Sequence, residues 1–491
     1  MRANPSTPRR RNRHTSRLLA GLLALAVLAA GCGGGPKRRG SPSGTGNPTE
    51  PAATVSGAPA SETPNPSGTT VLSEGSGRGE SSGPRSGPTA PGSPTGERGV
   101  TKETVSVAWM DVSKSTYEAA AQFGTSSGTT NSYLYYLAPF VDEINATGGI
   151  NGRKLVVNVI EYDPKNRDDQ LAACVKAAED TKVFAALTGY MSTGEACLAD
   201  KQVPVITYNS VSADRLYRQE KGWVRETAMN QDRLVKNLVD WLLQARVITS
   251  STRIGVLTLE NPEYKQVAES VLLPYLASKK LSVAAVASFS SQAERTAIEA
   301  NNMVLQFKDK DVQFVFPAVT WWQLFHFLTQ AQAQLYKPGY AALEMGGMTG
   351  DELASSLPAD EWDGSRGITT TRSGERAAGK PETPEQKGCL SAFSARGGKI
   401  DTDADRQFTL LACQQLHLFA KAARMAGAQL TRQSFFAALD SLGAYRERVS
   451  AADTLTFRKG KYDAADRFAV IQWRKDCKCY HQIQGFRPSS W

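Results

Sequence analysis

From Val105 to Gln334 short apolar runs alternate with longer amphipathic ones, and that alternation leaves few folds open to the chain. Val105 to Trp109 reads as a strand, and Asn131 to Asn145 sets Leu134, Leu137, Phe140, Val141 and Ile144 at helical spacing. Gly148, Gly149 and Gly152 permit positive φ where this helix must end and the next strand begin. Strand Leu155 to Glu161, helix Asp168 to Asp180, strand Val183 to Thr188 and strand Val203 to Tyr208 follow. Beyond Trp223 the pattern restarts: helix Gln231 to Arg246, strand Ile254 to Leu259, helix Glu263 to Lys279, strand Val283 to Phe289, helix Glu294 to Phe307, strand Val312 to Pro317, helix Gln323 to Gln334. Alternation of this kind predicts parallel sheets covered by helices, and the restart predicts an α/β protein of two doubly wound, Rossmann-like lobes. The tail reads as helices Pro384 to Ala395, Ala404 to Ala426 and Thr431 to Leu442, then strands Thr454 to Phe457, Phe468 to Arg474 and Tyr480 to Ile483. Helices this long need a sheet to pack on, so the tail is expected to return to both lobes.

The first hundred residues cannot take part in such a core. Arg2, Arg9, Arg10, Arg11, Arg13 and Arg17 precede an unbroken small and apolar run from Leu18 to Ala30, the layout of a secretory signal. That run is too short for a membrane span, which needs about 20 apolar residues. It ends in Leu28-Ala29-Ala30-Gly31-Cys32, which resembles the bacterial lipobox closely, with the Cys32 thiol as the group that takes the lipid. Residues 1–31 are therefore expected to leave as a lipoprotein signal peptide, and the mature protein to work outside the cytoplasm, held at the cell membrane by Cys32. An ordinary signal peptide cut near Ala30 is the alternative. Residues 32–99, rich in Gly, Ser, Pro and Thr, are expected to form a disordered tether. A flexible coil of about 66 residues spans roughly 45 Å. Gly79-Glu80-Ser81-Ser82-Gly83 matches the hydrolase elbow G-x-S-x-G by chance, since that motif needs a strand before it and a helix after it.

The formal charge of +9 invites a reading as a nucleic-acid or anionic-lipid binder, but six of those charges are the arginines of the departing signal, leaving about +3. Beyond residue 100 no Lys/Arg cluster is interleaved with aromatics, so no nucleic-acid partner is expected. Six cysteines remain after Cys32, an even number in an oxidising compartment, and disulfides are the expectation. Nearness favours Cys174 with Cys197 and Cys389 with Cys413, leaving Cys477 and Cys479. A zinc site of Cys477, Cys479 and His481 is the alternative, weakened by the want of a second cysteine pair.

No constellation for catalysis appears. H-E-x-x-H, a Walker loop, a dinucleotide fingerprint and triad spacing are all missing, and His326 and His417 fall in helical stretches. The paired acids Asp360-Glu361 and Asp401 with Asp403 fall in loops and read as solvation. Neither an enzyme nor a cofactor-bearing protein is expected.

Ile144-Asn145-Ala146-Thr147-Gly148-Gly149-Ile150-Asn151-Gly152-Arg153-Lys154 resembles the helix-to-strand turn of the branched-chain amino acid-binding family of ABC importers. Similar stretches follow in order: Tyr162-Asp163, Val183 to Gly189 with Ser192 and Thr193, Val203 to Ile206, Val224-Arg225, Asn261 to Tyr264, Glu344-Met345-Gly346, and Phe468 to Trp473. The resemblance covers nearly all of 100–491 and implies a type I periplasmic-binding fold with three hinge crossings, near 226, 366 and 463. Lobe 1 would hold residues 100–226 and 367–463, and lobe 2 residues 227–366 and 464–491.

Ligands of open α/β sheets sit beyond the carboxyl ends of the strands, and two facing lobes make one cleft from two such rims. The first rim offers Asp111, Ser192, Thr193, Thr207, Tyr208, Asn209 and Ser210; the second offers Glu260, Tyr264, Thr320, Trp321, Trp322 and Glu344. Hydroxyls and backbone N–H groups at helix starts suit a carboxylate. By resemblance, Ser192 or Thr193 with Ser210 would take a ligand carboxylate, Tyr264 would close over it, and Glu344 would receive an ammonium group. Helix caps, a surface aromatic, lobe core and a solvated turn are the respective plainer readings. The sequence departs from the family in the lengthened segment Ala121 to Ser132 and in Tyr208 and Val211, so a branched-chain amino acid is not assumed. The expectation is a monomeric, lipid-anchored receptor that closes over a small polar solute and presents it to an ABC transporter permease. A receptor of the same fold that senses a small molecule or binds an envelope protein without transport is the alternative.

Overall fold

The computed structural model describes residues 70–71, 96–115, 133–189 and 191–491. The signal segment, Cys32, the Gly79–Gly83 match, most of 32–99 and the insertion Ala121–Ser132 lie outside the described residues. The described part of 32–99 touches the folded body. Strand β1 (Thr70–Val71) pairs antiparallel with Val159 and Asn158, Arg98 donates to the carbonyls of Ala178 and Lys201, and Glu97 pairs with Arg432 at 2.5 Å.

The first sheet adds β2 (Thr104–Val112), β3 (Lys154–Tyr162), β4 (Ala185–Thr188), β5 (Val205–Thr207) and β6 (Val224–Glu226) in the order β1-β3-β2-β4-β5-β6. All but β1 run parallel. Both faces are covered, as parallel sheets require. Val105, Val107 and Trp109 of β2 enter one core with the helix Tyr133–Ala146, while Ala108, Met110 and Val112 enter the other with the helix Arg167–Val175. The period of two along one strand thus fills two layers.

The second sheet holds β7 (Arg253–Leu259), β8 (Ser282–Phe289), β9 (Phe314–Pro317), β10 (Gly339–Ala342), β11 (Arg366–Thr369), β14 (Arg467–Arg474) and β15 (Cys479–Pro488), ordered β15-β14-β11-β10-β9-β7-β8. β7 to β11 are parallel, and β14 is antiparallel to both β11 and β15. β12 (Gly443–Tyr445) and β13 (Leu455–Phe457) form a separate antiparallel pair. The chain passes between the two cores three times. The helix Gln231–Gln244 after β6 packs in the second core, the helices Pro384–Ser394, Asp403–Met425 and Arg432–Asp440 pack in the first, and Ala464 and Ala465 fall in the first and second respectively. These parallel-sheet lobes have the two-lobed α/β architecture that the alternation predicts.

The glycine turn after the first helix is built as its residue types require. Gly149 sits at φ +59°, and a Cβ there would meet the Arg153 carbonyl oxygen at 2.0 Å. Arg424, at the end of the helix Asp403–Met425, donates to the Gly149 carbonyl at 2.7 Å and so ties the turn to the tail. The sulfurs of Cys174 and Cys197 lie 2.08 Å apart, those of Cys389 and Cys413 1.98 Å, and those of Cys477 and Cys479 1.99 Å.

Several elements differ from the sequence expectation. The run Asp168 to Asp180 is an α-helix only to Val175 and continues as a π turn over Lys176–Asp180. Glu263 to Lys279 likewise divides into α-helix Pro262–Gln266, π turn Val267–Leu272 and α-helix Leu273–Ser278, with Pro274 at the last junction. The helix Ser192–Asp200 and the strands β6, β10 and β11 are additional to the expected elements. Among the described residues no helix is long and apolar enough to cross a membrane.

Candidate functional site

The parallel strands of the two sheets point their carboxyl ends at one another, and both rims carry buried polar side chains. β4 ends at Thr188 and β5 at Thr207, each fully buried. Their hydroxyls donate to one oxygen of Glu195 at 2.5 and 2.7 Å. Glu195 lies on the first turn of the helix Ser192–Asp200, so the end of each strand and the start of one helix converge on a single carboxylate. Its other oxygen faces Arg215 at 3.4 Å.

Arg215 is the centre of this rim, 3 % exposed and surrounded by carboxylates. Its Nε donates to Glu220 at 2.5 Å, and its Nη1 lies 2.6 Å from Glu263 as a charge pair. Glu263 belongs to the second lobe, on the first turn of the helix Pro262–Gln266 capped by Asn261. Burial acts against the guanidinium charge, and the carboxylates of Glu263, Glu220 and Glu195 outweigh it, so Arg215 stays charged. Burial pushes Glu195 up to about 8 despite the Arg215 charge. Burial also raises Glu220 and lifts Glu226 well above the usual carboxylate range, in the latter case with Asp463 adding to the effect.

Three further links cross between the rims. The Ser212 hydroxyl donates to Gln266 at 3.0 Å, and Gln266 donates to Asp214 at 2.9 Å. Gln231 donates to the carbonyl of Glu344 at 2.7 Å and to that of Ser210 at 3.3 Å, so one side chain holds a strand end from each lobe. The Lys165 ammonium stands 5.6 Å from the centroid of the Trp322 ring. Behind them, Glu226 and Asp463 form a parallel bridge between chain crossings, and Asp463 accepts from Arg233 at 2.7 Å, Asn230 at 2.9 Å and Tyr217 at 2.8 Å.

The second rim is built around Glu344. It accepts from the backbone N–H of Thr370 at 2.5 Å and from the Thr370 hydroxyl at 2.8 Å. Burial pushes Glu344 up to about 7 against those hydrogen bonds, and no cation pairs with it among the described residues. Gly346, two residues on, sits at φ +57°; a Cβ there would meet Thr320 Cα at 2.7 Å and the Tyr264 hydroxyl at 3.2 Å. The glycine leaves room for the Tyr264 hydroxyl beside the loop that carries Glu344.

The remaining expected site residues fall as follows. Ser192 opens its helix, and its side chain lies outside the described residues. Thr193, half-buried beside it, has no hydrogen-bond partner among the described residues. The Thr207 proton goes to Glu195, and the Ser210 hydroxyl donates to the Met229 carbonyl. Tyr208 is half-buried with its ring over Gly189. Trp321 is buried in the second core and donates from Nε1 to Ser356 at 2.9 Å, whereas Trp322 is half-buried with its ring 4.5 Å from His326. Asp111 is buried and raised well above its ordinary range by burial first and Glu161 second, and Glu260 is exposed. Sequence reasoning missed Glu195, Arg215 and Glu263. Glu195 left one trace, an acid inside Ser-Thr-Gly-Glu-Ala-Cys-Leu-Ala, a stretch otherwise of small and apolar residues.

Two cavities lie away from this place. One of about 320 Å³ is lined by Thr252, Gln313, Gly339 and Arg366 at the amino ends of the second sheet's strands. The other, of about 630 Å³, lies beside the crossings, among Tyr217, Arg233, Lys461 and Asp466. The strand ends that face each other are the position ligands take in open α/β sheets.

Comparison with known proteins agrees with this geometry. A profile of the family described as periplasmic binding protein matches residues 124–478, more than two thirds of the chain. A fatty acid ABC transporter substrate-binding protein from Thermomonospora curvata superposes with a TM-score of 0.61 at 15 % identity, covering 81 % of this chain and 97 % of that one. A branched-chain amino acid ABC transporter protein from Thermus thermophilus with bound valine gives 0.59 at 14 % identity, covering 80 % and 98 %. An ABC transporter solute binding protein from R. palustris in complex with 4-hydroxybenzoate gives 0.59 at 13 % identity, covering 79 % and 98 %. No curated protein sequence matches the chain.

Proposed function

The chain belongs to the periplasmic binding protein family, an extracytoplasmic family of solute binders and not of enzymes, and from that premise we propose that it is a lipid-anchored receptor for a small polar solute. The solute sits between the two lobes, which hinge near 226, 366 and 463, and the closed form docks on an ABC transporter permease. Cys32 carries the lipid on the extracytoplasmic face of the cell membrane, residues 32–99 act as the tether, and the protein works as a monomer. Cys174 with Cys197, Cys389 with Cys413 and Cys477 with Cys479 form disulfides.

The observation that supports this reading most is the continuity of buried polar groups across the facing rims, from Thr188 and Thr207 through Arg215 to Glu263, and from Ser210 through Gln231 to Glu344. A binding protein of this class works by a hinge equilibrium, and only contacts made to both lobes shift it. Valine, a fatty acid and 4-hydroxybenzoate, bound by or named for the structural neighbours, all bear a carboxylate. In this chain Thr207 and Ser210 spend their protons inside the protein, so Thr193 and the backbone at Ser192 are the donors left for a carboxylate. Tyr208 and Tyr264 would then flank the solute, Trp321 would back the wall, and Glu344 would take an ammonium group.

Melting the folded protein against amino acids, small amides, polyamines, sugars and aromatic or aliphatic acids tests this. A true ligand at 100 times its dissociation constant adds about 2.7 kcal/mol of stability. No shift with any solute would turn the reading toward a receptor for an envelope protein. Cys32→Ser should release the protein from membranes into the soluble fraction.

A further inference from the structure

The Cys-Lys-Cys stretch takes no part in the facing rims, yet its geometry is specific. It forms the turn between β14 and β15, where Arg474 pairs with Cys479 and Gln472 with His481. Residues two apart along a strand share a face, so Cys479 and His481 of β15 are brought to one side, and the turn returns Cys477 to them. Tyr480 points the other way, fully buried, with its hydroxyl on the Met348 carbonyl at 2.5 Å. The two sulfurs and an imidazole nitrogen lie within 4.8 Å of one another, with Cys477 exposed and the other two half-buried. Lys478 reaches the turn at φ +51°, and the charges around it are paired, Arg474 with Asp476 at 2.5 Å and Lys475 with Asp360.

The pair also differs from the other two in what it can do for the fold. A cross-link over a separation of 2 constrains the unfolded chain far less than links over 23 and 24. Cys174, Cys389 and Cys413 are fully buried, whereas Cys477 is open to solvent. A pair that contributes little to folding and has one residue open to solvent is the one a reductant reaches first.

We propose that Cys477, Cys479 and His481 form a redox-gated site for a d10 cation of the zinc class. An external dithiol delivers two electrons and two protons to the Cys477–Cys479 bond and leaves as its own disulfide. The two thiols then lose their protons to solvent on binding the cation, His481 supplies the third donor through a neutral imidazole nitrogen, and water completes the tetrahedron. This assignment is independent of the solute reading.

The test uses the folded protein, graded dithiothreitol and peptide-mapped maleimide labelling. Cys477 and Cys479 should be labelled at reductant concentrations that leave the other two pairs unlabelled and the melting curve unchanged. The protein in that state should take one equivalent of Zn2+ from a chromophoric chelator, and the C477S/C479S variant should take none. His481→Ala should weaken uptake by on the order of ten-fold or more. Labelling no earlier than the buried pairs, zinc uptake equal to that of the double variant, or unchanged affinity in His481→Ala would each overturn the proposal.

Discussion

Glu195 and Glu344 occupy matching places on the two lobes, each beyond the end of a parallel strand, and they are satisfied in opposite ways. Glu195 is fully buried, accepts two threonine hydroxyls and faces Arg215, which in turn reaches across to Glu263. Glu344 keeps some surface, accepts from Thr370, and has no cation beside it among the described residues. The first carboxylate is therefore part of the protein's own wiring, and the second is still able to gain from a positive charge. On the function proposed above, that asymmetry would place the reading of a solute's charge at Glu344.

The largest effect should come from breaking the first arrangement at its centre. Arg215→Met leaves Glu220 and Glu263 without their counter-charge, and removing one partner of a buried ion pair costs about 3–5 kcal/mol. Urea unfolding measures this, and a loss below 1 kcal/mol would mean that the carboxylates find other partners.

Acidity should separate the two arrangements next. The folded pKa of Glu195 is raised, so its contribution to stability is fully present below its unfolded value and is lost as pH climbs through about 8. Between those limits the native protein holds a proton that the unfolded chain has released, and stability falls with a slope of up to about 1.4 kcal/mol per pH unit. Glu195→Gln cannot release that proton, so it should gain on the natural protein steadily from pH 5 to pH 8. Parallel pH curves would show that Glu195 ionises freely.

Glu263→Gln should have a smaller effect on stability, about 1 kcal/mol or less, because Glu263 is 20 % exposed and solvent screens the pair. Its effect on shape should be plainer, with small-angle scattering reporting a more open population. The smallest change in unfolding is expected for Glu344→Gln near pH 5, where the natural carboxyl is already protonated. If an amine is the ligand, that same substitution should lower its affinity at least ten-fold, a loss of about 1.4 kcal/mol. Undiminished amine binding would remove Glu344 from the site.

Much of this arrangement was legible in the sequence because it is written in periodicity. β2, β3, β7 and β8 and the helices Gln231–Gln244 and Asp403–Met425 repeat apolar residues often enough to announce themselves. β6, with three residues, and β10 and β11, with four each, are too short to show a period, and long-range pairing alone makes them strands. The helix Ser192–Asp200 is built of small residues of modest propensity and is held beside Arg167–Val175 by the contact of Cys197 with Cys174. The chemistry of the cleft was less legible still. Arg215 meets Glu195 from 20 residues away and Glu263 from the other lobe, and no local pattern carries such a meeting. Glu344 could be singled out because a carboxylate between Leu343 and Met345 is an odd neighbour for apolar residues.

The central claim is that the lobes close over a solute, and the distance between them tests it most directly. Spin labels at Asp168 on the first lobe and Glu269 on the second, both exposed, report that distance by pulsed dipolar spectroscopy. The natural protein should give one narrow short distance, Glu263→Gln a broader and longer distribution, and the solute that raises the melting temperature most should restore the narrow one. A distribution that this solute leaves unchanged in Glu263→Gln would contradict capture between the lobes.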